Sequence, residues 1–324
     1  MALQLPTWQP QAPLQALALP WAEAAGVSLA VLRLDLIDPL ISGNKWFKLA
    51  PHLAVAAQAG AEGVISLGGA HSNHLHALAA AGQRFGFATV GLLRGEPQDT
   101  ATVRDLQRWG MQLHWLGYGG YRARHQADFW APWQALYPHF ATVPEGGGGL
   151  LGAQGCQVLV SMARAQLPAL GWADYDGWWL AAGTGTTLAG LVLGEAGAHP
   201  VTAALAVPAS HGVAQQVAEV LQQAGQAAQG YRLLEAARGG FARVDTELAA
   251  FTLACEQHSG VLLEPVYTAK ALLALQGQIE SAAIPAGSRL IVVHTGGLQG
   301  RSAALQQVPG YTDEQFAAVE PSHE

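Results

Sequence analysis

The chain has 324 residues, half of them hydrophobic and only 12% charged, with a formal net charge of −7. That is enough apolar material for a sizeable core in one large or two modest domains, and it argues against disorder. No lysine or arginine cluster forms a basic stripe, so nucleic acid is not expected as a partner.

Residues Met1–Pro20 carry four prolines and little periodicity, and are expected to wrap a surface. They show no basic segment ahead of an apolar run, so no signal peptide is expected. No stretch has the length and flanks of a membrane span. Val27–Leu40 alternates and reads as one or two strands. Lys45 to about Gln58 reads as a helix. Gly63–Leu67 reads as a buried strand and Leu75–Gly82 as a helix, so Ser72 and Asn73 fall at a strand-to-helix turn. Phe87–Leu93 and Met111–Leu116 read as strands, with a helix at Thr102–Trp109 between them. Tyr121–Tyr137 reads as a helix with a proline at its middle. Phe140–Val143 is a short strand, and the glycine run Gly146–Gly149 marks a domain boundary. In the second half, helices are expected at Gly152–Leu167, Leu188 onward, Val213–Gln223, Thr246–His258 and Ala269–Ile279. Strands are expected at Gly177–Ala182, Val201–Val207, Val261–Leu263 and Arg289–His294. This alternation argues for an α/β fold with doubly wound parallel sheets. Such sheets bind ligands at the carboxyl ends of their strands, where the glycine-rich and polar loops fall.

Several of these loops carry chemistry. Lys45 follows the small turn Ser42-Gly43-Asn44, a good position for an amine that reaches into a cleft, although a lone lysine there is usually solvated. Gly183-Thr184-Gly185-Thr186-Thr187 lies between a strand and a helix, where backbone N–H groups and hydroxyls can hold an anion. It lacks a P-loop lysine and dinucleotide spacing, and alone it reads equally well as a tight turn. Cys156 and Cys255 have neither metal-ligand spacing nor a disulfide framework, and read as reduced thiols of a cytoplasmic protein.

Six stretches, in order, carry a resemblance. They are Gly43-Asn44-Lys45 with Lys48-Leu49, Gly68-Gly69-Ala70-His71-Ser72-Asn73-His74, and Pro144-Glu145-Gly146-Gly147 with Leu151-Gly152. The others are Gly183–Gly190, Glu264-Pro265-Val266-Tyr267-Thr268-Ala269-Lys270, and His294-Thr295-Gly296-Gly297. The chain resembles fold type II pyridoxal-phosphate enzymes of the 1-aminocyclopropane-1-carboxylate deaminase and D-cysteine desulfhydrase family. The resemblance implies the tryptophan-synthase-beta-like fold. A large domain would comprise residues 1–48 and 151–324, a small one residues 49–150, and the assembly would be a homodimer. It implies pyridoxal 5'-phosphate as cofactor and a small amino acid as substrate. Lys45 would carry the cofactor as a Schiff base and act as base, and Lys48 would face the same site or be a plain surface lysine. Asn73 would bond the phenolic oxygen. Ser72 would hold the substrate carboxylate or act near the leaving group. Gly183, Thr184, Gly185, Thr186 and Thr187 would hold the phosphate, Thr295 and Gly296 would lie at the ring nitrogen, and Tyr267 would exchange protons. His74, Asn73 and Phe241 complete the implied substrate surroundings, and His71 is an ordinary loop histidine or an outer neighbour.

Two features bear on the substrate. The deaminases carry a glutamate after the tyrosine, where this chain has Thr268; the desulfhydrases carry threonine. A neutral group at the ring nitrogen gives a weaker electron sink, which suits β-elimination better than cyclopropane opening. Phe241 stands where the family places a second tyrosine, and Leu75-His76 where relatives often carry an arginine. The expected activity is β-elimination from D-cysteine to pyruvate, ammonia and sulfide. The alternatives are cyclopropane deamination, another β-eliminating or racemising reaction, a weakly catalytic cofactor-binding protein, and a nucleotide binder.

Overall fold

The structure is a computed structural model that describes residues 2–4, 6–240, 242–306 and 308; Phe241 lies outside the described residues. Among these, ten strands form two sheets. They are β1 (Leu14–Ala16), β2 (Ser28–Arg33), β3 (Gly63–Gly68), β4 (Ala88–Leu93), β5 (Gln112–Trp115), β6 (Phe140–Thr142), β7 (Gly177–Ala182), β8 (Val201–Leu205), β9 (Tyr231–Glu235) and β10 (Arg289–His294). The larger sheet runs β1-β2-β10-β7-β8-β9 and the smaller β5-β4-β3-β6. Every pairing is parallel except β1 with β2. The strands β3 and β7 are buried along their whole length, the continuous apolar pattern that helices on both faces demand. Those helices pack Leu188, Leu191 and Val217 on one face of the large sheet, and Leu248, Leu272 and Leu275 on the other. The α/β reading with parallel sheets therefore holds.

The strand order positions the site. β10, last in sequence, inserts between β2 and β7, with His294 opposite Arg33 and Val292 opposite Trp179. Three turns far apart in the chain thus leave the same edge of the sheet side by side: the one before Lys45, the Gly183 loop and the Thr295 turn. The smaller sheet contributes the Ser72 turn after β3.

Several sequence expectations are corrected. The N-terminal segment does more than wrap: Leu14–Ala16 pairs antiparallel with β2, and the Leu14 N–H donates to Gln166 Oε1 at 2.9 Å. The Val27–Leu40 strand ends at Arg33 and turns into a 3-10 turn, Leu34–Leu36. The long helix at Tyr121–Tyr137 is two short pieces, Gly117–Arg122 and Ala131–Leu136, because Pro132 opens a new helix instead of sitting inside one. The Gly152–Leu167 helix starts at Gly149 and divides at Gln157 into Gly149–Cys156 and Val158–Arg164. Val261–Leu263 forms no strand, since Leu262 O and the Leu263 N–H bond to the side chains of His294 and Glu256 instead of a ladder. The edge strand β9 was not anticipated; its half-exposed pattern has no strong period.

The cradle helix Thr186–Glu195 is anchored at its far end. The buried Glu195 carboxylate accepts from Tyr175 Oη, from Trp178 Nε1 at 2.6 Å, from Arg164 Nη2 at 2.6 Å and from His199 Nδ1 at 2.8 Å. Burial pushes its pKa up, but these bonds outweigh it and hold the carboxyl below the usual range. A depressed folded-state pKa gives stability that is present above the unfolded-state pKa and lost as pH falls through the folded value. Glu195→Ala, which strands buried donors, is expected to lower the unfolding free energy by about 3 kcal/mol. Urea titration at neutral pH measures this, and the deficit should shrink as the pH is taken down through the carboxylate range.

Candidate active site

Lys45 is the first residue of the Lys45–Gln58 helix. The turn before it closes on the Thr295 turn. Gly43 has φ +79, and a Cβ there would strike the Thr295 carbonyl, so no other residue fits without moving β10. The Asn44 N–H donates to Thr295 O at 3.1 Å. The Asn44 side chain then faces two ways: Nδ2 donates to Thr187 Oγ1 at 2.9 Å and Oδ1 accepts from Lys45 Nζ at 2.5 Å. The amine is thereby tied to the Gly-Thr loop. Burial, and next the Lys48 charge, lower its pKa to about 7, against the opposing pull of Cys156 and Glu264. Half-neutral near physiological pH, it is poised as a nucleophile and base.

Lys48 lies one turn on and is 5% exposed. Among the described residues it has no hydrogen-bond acceptor and no ion-pair partner. Burial lowers its pKa too. Its stem packs under Gly147, where a Cβ would sit 2.9 Å from Lys48 Cβ. Cys156 is the nearby group that pulls Lys48 upward, and its thiol in turn bonds Thr187. The Gly183–Thr187 loop follows β7 directly and opens the Thr186–Glu195 helix. Thr184 and Thr186 share a hydrogen bond between hydroxyls at 3.0 Å. Gly185 takes φ +73, with Val213 and Val217 against it.

Ser72 caps the Asn73–Phe85 helix, its Oγ accepting from the Leu75 N–H at 3.2 Å. Asn73 Oδ1 accepts from Gln299 Nε2 at 2.6 Å, and its amide lies against Gly297, where a Cβ would be 2.7 Å from Asn73 Nδ2. His74 points inward. Ser66 donates to Val143 O at 2.9 Å, so its oxygen accepts from His74 Nε2 at 2.7 Å, and Nδ1 is left as a buried acceptor without a partner. Burial and the Lys45 and Lys48 charges hold His74 well below its usual pKa, so it is neutral.

Tyr267 precedes the Thr268–Glu280 helix, which is pinned to β7 by Trp179 Nε1 donating to Ala271 O at 2.7 Å. Its ring backs onto the Gly-Thr loop: a Cβ on Gly183 would meet Tyr267 Cε1 at 3.0 Å. Burial, then the Glu264 and Glu145 charges, push the phenol up, so it stays protonated. Thr295 and Gly296 follow β10, and the turn is held by His294, whose Nδ1 accepts from the Gly296 N–H at 3.1 Å while Nε2 donates to Leu262 O at 2.8 Å.

The structure thus brings Lys45, Lys48, Asn73, His74, Gly183, Thr184, Gly185, Thr186, Thr187, Tyr267, Thr295 and Gly296 to one end of the two sheets, with Ser72 at the rim. His71 is exposed on its loop and stands apart from the cluster. Sequence reasoning missed Asn44, Glu264 and Gln299. Asn44 had a signal, since it stands within the turn that was singled out; Gln299 had none. Among the described residues no group of histidine, cysteine or acidic side chains could hold a metal ion.

Comparison with known proteins gives the class. The family described as pyridoxal-phosphate dependent enzyme matches residues 8–296, and the chain belongs to it. It is similar to a provisionally named 1-aminocyclopropane-1-carboxylate deaminase of Pyrococcus abyssi, 27% identical over 288 residues, 85% of this chain and 86% of that protein. It is also similar to a D-cysteine desulfhydrase of Serratia proteamaculans, 28% identical over 304 residues, 87% of this chain and 90% of that one. A crystal structure of an ACC deaminase homologue superposes with a TM-score of 0.79 at 23% identity, covering 94% of this chain and 95% of that chain, which shows the shared fold. The chain is therefore a pyridoxal-phosphate dependent enzyme, similar over most of its length to proteins named as deaminases and desulfhydrases.

The residues present fit that cofactor. A buried ammonium without an anion is costly, and Lys48 stands in that condition beside a loop whose N–H groups and hydroxyls suit a phosphate. The half-neutral Lys45 suits an aldehyde carbon. Lys48→Met is expected to raise the midpoint for amine labelling of Lys45 above about 7, because the second-largest influence lowering it is removed. The pH dependence of labelling in cofactor-free protein, read by peptide mass spectrometry, checks this. Gly185→Ala puts a Cβ against Val213 and Val217 at φ +73. It should weaken pyridoxal-phosphate binding about tenfold, roughly 1.4 kcal/mol, as followed by absorbance titration.

Proposed function

We propose that this chain is a β-eliminating lyase of small amino acids, with D-cysteine as the leading substrate and pyruvate, ammonia and sulfide as products. One observation carries the proposal: an amine with its pKa near 7, tied through Asn44 to an anion cradle that also faces an unpaired buried lysine. When bound, pyridoxal phosphate supplies an electron sink for charge developing at the substrate Cα. Lys48 and the Gly183–Thr187 loop hold its phosphate, Lys45 its aldehyde end, Asn73 its phenolic oxygen, and Thr295 with Gly296 its ring nitrogen.

The chain's own residues do the rest. Ser72, at a helix N-terminus, takes the substrate carboxylate with the backbone N–H groups beside it. Lys45, released in its neutral form, removes the Cα proton. The Cβ–S bond breaks, and the Tyr267 phenol, kept protonated by its surroundings, gives its proton to the departing sulfur. Water completes the conversion to pyruvate and ammonia. The neutral Thr268 and Thr295 hydroxyls support elimination over ring opening. We also propose that residues 49–150, which carry Ser72 and Asn73, form the smaller of two domains and close on substrate, the larger being 1–48 with 151–324.

A second reading is deamination of 1-aminocyclopropane-1-carboxylate, favoured by the similarity to the Pyrococcus abyssi protein. Purified protein loaded with pyridoxal phosphate should release sulfide and pyruvate from D-cysteine, and little ammonia from the cyclopropane acid. The reverse ranking would select the second reading. Lys45→Ala should abolish turnover. Tyr267→Phe should lower kcat about a hundredfold, as for loss of a general acid, while substrate binding is retained. Because the Lys45 amine must be neutral to attack an aldehyde, cofactor-free protein should take up pyridoxal phosphate more slowly as pH drops below about 7, read by absorbance.

A further inference from the structure

Glu264 is a carboxylate that the reaction scheme above does not use, and its placement is unusual. It is 3% exposed and pairs with no arginine or lysine at salt-bridge distance among the described residues. Both of its oxygens are occupied by backbone: Oε1 accepts from the Val266 N–H at 2.9 Å and Oε2 from the Tyr267 N–H at 2.6 Å. Its own carbonyl accepts from the Ala269 N–H at 3.0 Å, so one residue ties the whole entry to the Thr268–Glu280 helix. Its stem also packs against the turn after β10, where a Cβ on Gly297 would lie 3.2 Å from Glu264 Cγ and against the Asn73 amide. The side chain therefore sits where three parts of the site meet: the Tyr267 entry, the Thr295–Gly297 turn and Asn73.

We infer that Glu264 is a positioning residue of this site, whose two oxygens set the Tyr267 backbone and ring. Two N–H donors, one on each oxygen, favour the ionised carboxylate, which is the stronger acceptor at both. The charged and titratable groups around it are Lys45 on the Lys45–Gln58 helix, Lys270 on the Thr268–Glu280 helix and the Tyr267 phenol. Burial raises Glu264 to about 7, against the two backbone bonds and the two lysines. Glu264 in turn raises both Lys45 and Tyr267. One carboxylate thus favours a proton on the phenol and keeps the amine from going wholly neutral. The part of the inference that concerns Tyr267 as a proton donor rests on the proposed reaction; the effect on Lys45 does not.

Two variants separate charge from placement. Glu264→Gln removes the charge and one acceptor; Glu264→Asp keeps the charge but shortens the stem and loosens the Tyr267 contact. In cofactor-free protein the midpoint for amine labelling of Lys45, about 7 in the parent, should move to lower pH in Glu264→Gln and stay in place in Glu264→Asp. With cofactor and D-cysteine, both should lose about tenfold in kcat, the scale of a misplaced catalytic group, with KM changed less than about twofold. Unchanged kcat in both variants overturns the positioning role, and an unmoved midpoint in Glu264→Gln removes any action of Glu264 on Lys45. Should Glu264→Gln fail to fold by circular dichroism, Glu264→Asp decides: unchanged kcat overturns the positioning role, and a tenfold loss at an unchanged midpoint supports it. If no protein turns over D-cysteine but the Glu264→Gln midpoint moves, the proposed substrate is wrong and the action of Glu264 on Lys45 stands.

Discussion

Two lysine ammonium groups three residues apart on one helix, Lys48 buried and Lys45 part-buried, are the constraint around which the site is built. No carboxylate lies at salt-bridge distance from either among the described residues. Two like charges so close and so poorly hydrated cannot both stay ionised at little cost. Lys45 responds by releasing its proton near neutrality, with Asn44 accepting a hydrogen bond from it. Lys48 keeps no partner among the described residues, and the N–H groups and hydroxyls of the glycine-threonine loop are suited to an anion. Burial, and then the same charges, hold His74 neutral, so its imidazole serves as a fixed spacer donating to Ser66.

The larger sheet exists in the form needed to hold that pair. β10 lies between β2 and β7, which places the residue after His294 against the turn before Lys45 and, one strand further, the Gly183 loop. That proximity is enforced by backbone contact. Gly43 and Gly296 approach so closely that a Cβ on either would collide with the other turn. Beneath them a polar group of Arg33, Asp35 and His294 is buried; the Arg33 guanidinium forks onto Asp35 at 2.9 and 2.6 Å. His294 then spends both ring nitrogens on backbone, one holding the Thr295–Gly296 turn and one holding Leu262 near Glu264. Glu264, Tyr267 and the Thr295 turn are thereby linked through main chain, which is stiffer than any side-chain link.

Much of this was legible in the sequence, and the parts that were share a cause. Lys45, Ser72, Asn73 and Gly183–Thr187 lie at strand-to-helix junctions or beside glycines, where local pattern marks a special backbone, and Tyr267 stands at the start of a helix after a proline turn. The strands Gly177–Ala182 and Arg289–His294 and the helices at Lys45 and Val213 agree with their apolar periods to the residue. Glu264 was visible only as a neighbour of Tyr267, because a buried carboxylate and a solvated one look alike in one dimension. Gln299 gave no signal, since its contact with Asn73 spans 226 positions. The Leu14–Ala16 strand was hidden among prolines, and Val261–Leu263 looked like a strand but has its backbone partners taken by side chains.

By itself the sequence determined the alternation of strands and helices, the parallel α/β class, and the order of the six stretches that mark a pyridoxal-phosphate enzyme. The alternation and the class depend on local periodicity, and the six stretches mark the enzyme through their resemblance to its family. Tertiary structure alone decided the strand order with β10 in the middle and the tie from Lys45 through Asn44 to Thr187. It also decided the isolation of Lys48 from every acidic side chain among the described residues, and the burial of Glu264 between two turns. Each of these is a matter of which distant groups share a space that water has left. Desolvation and close packing act through three-dimensional neighbours, and no one-dimensional pattern records them.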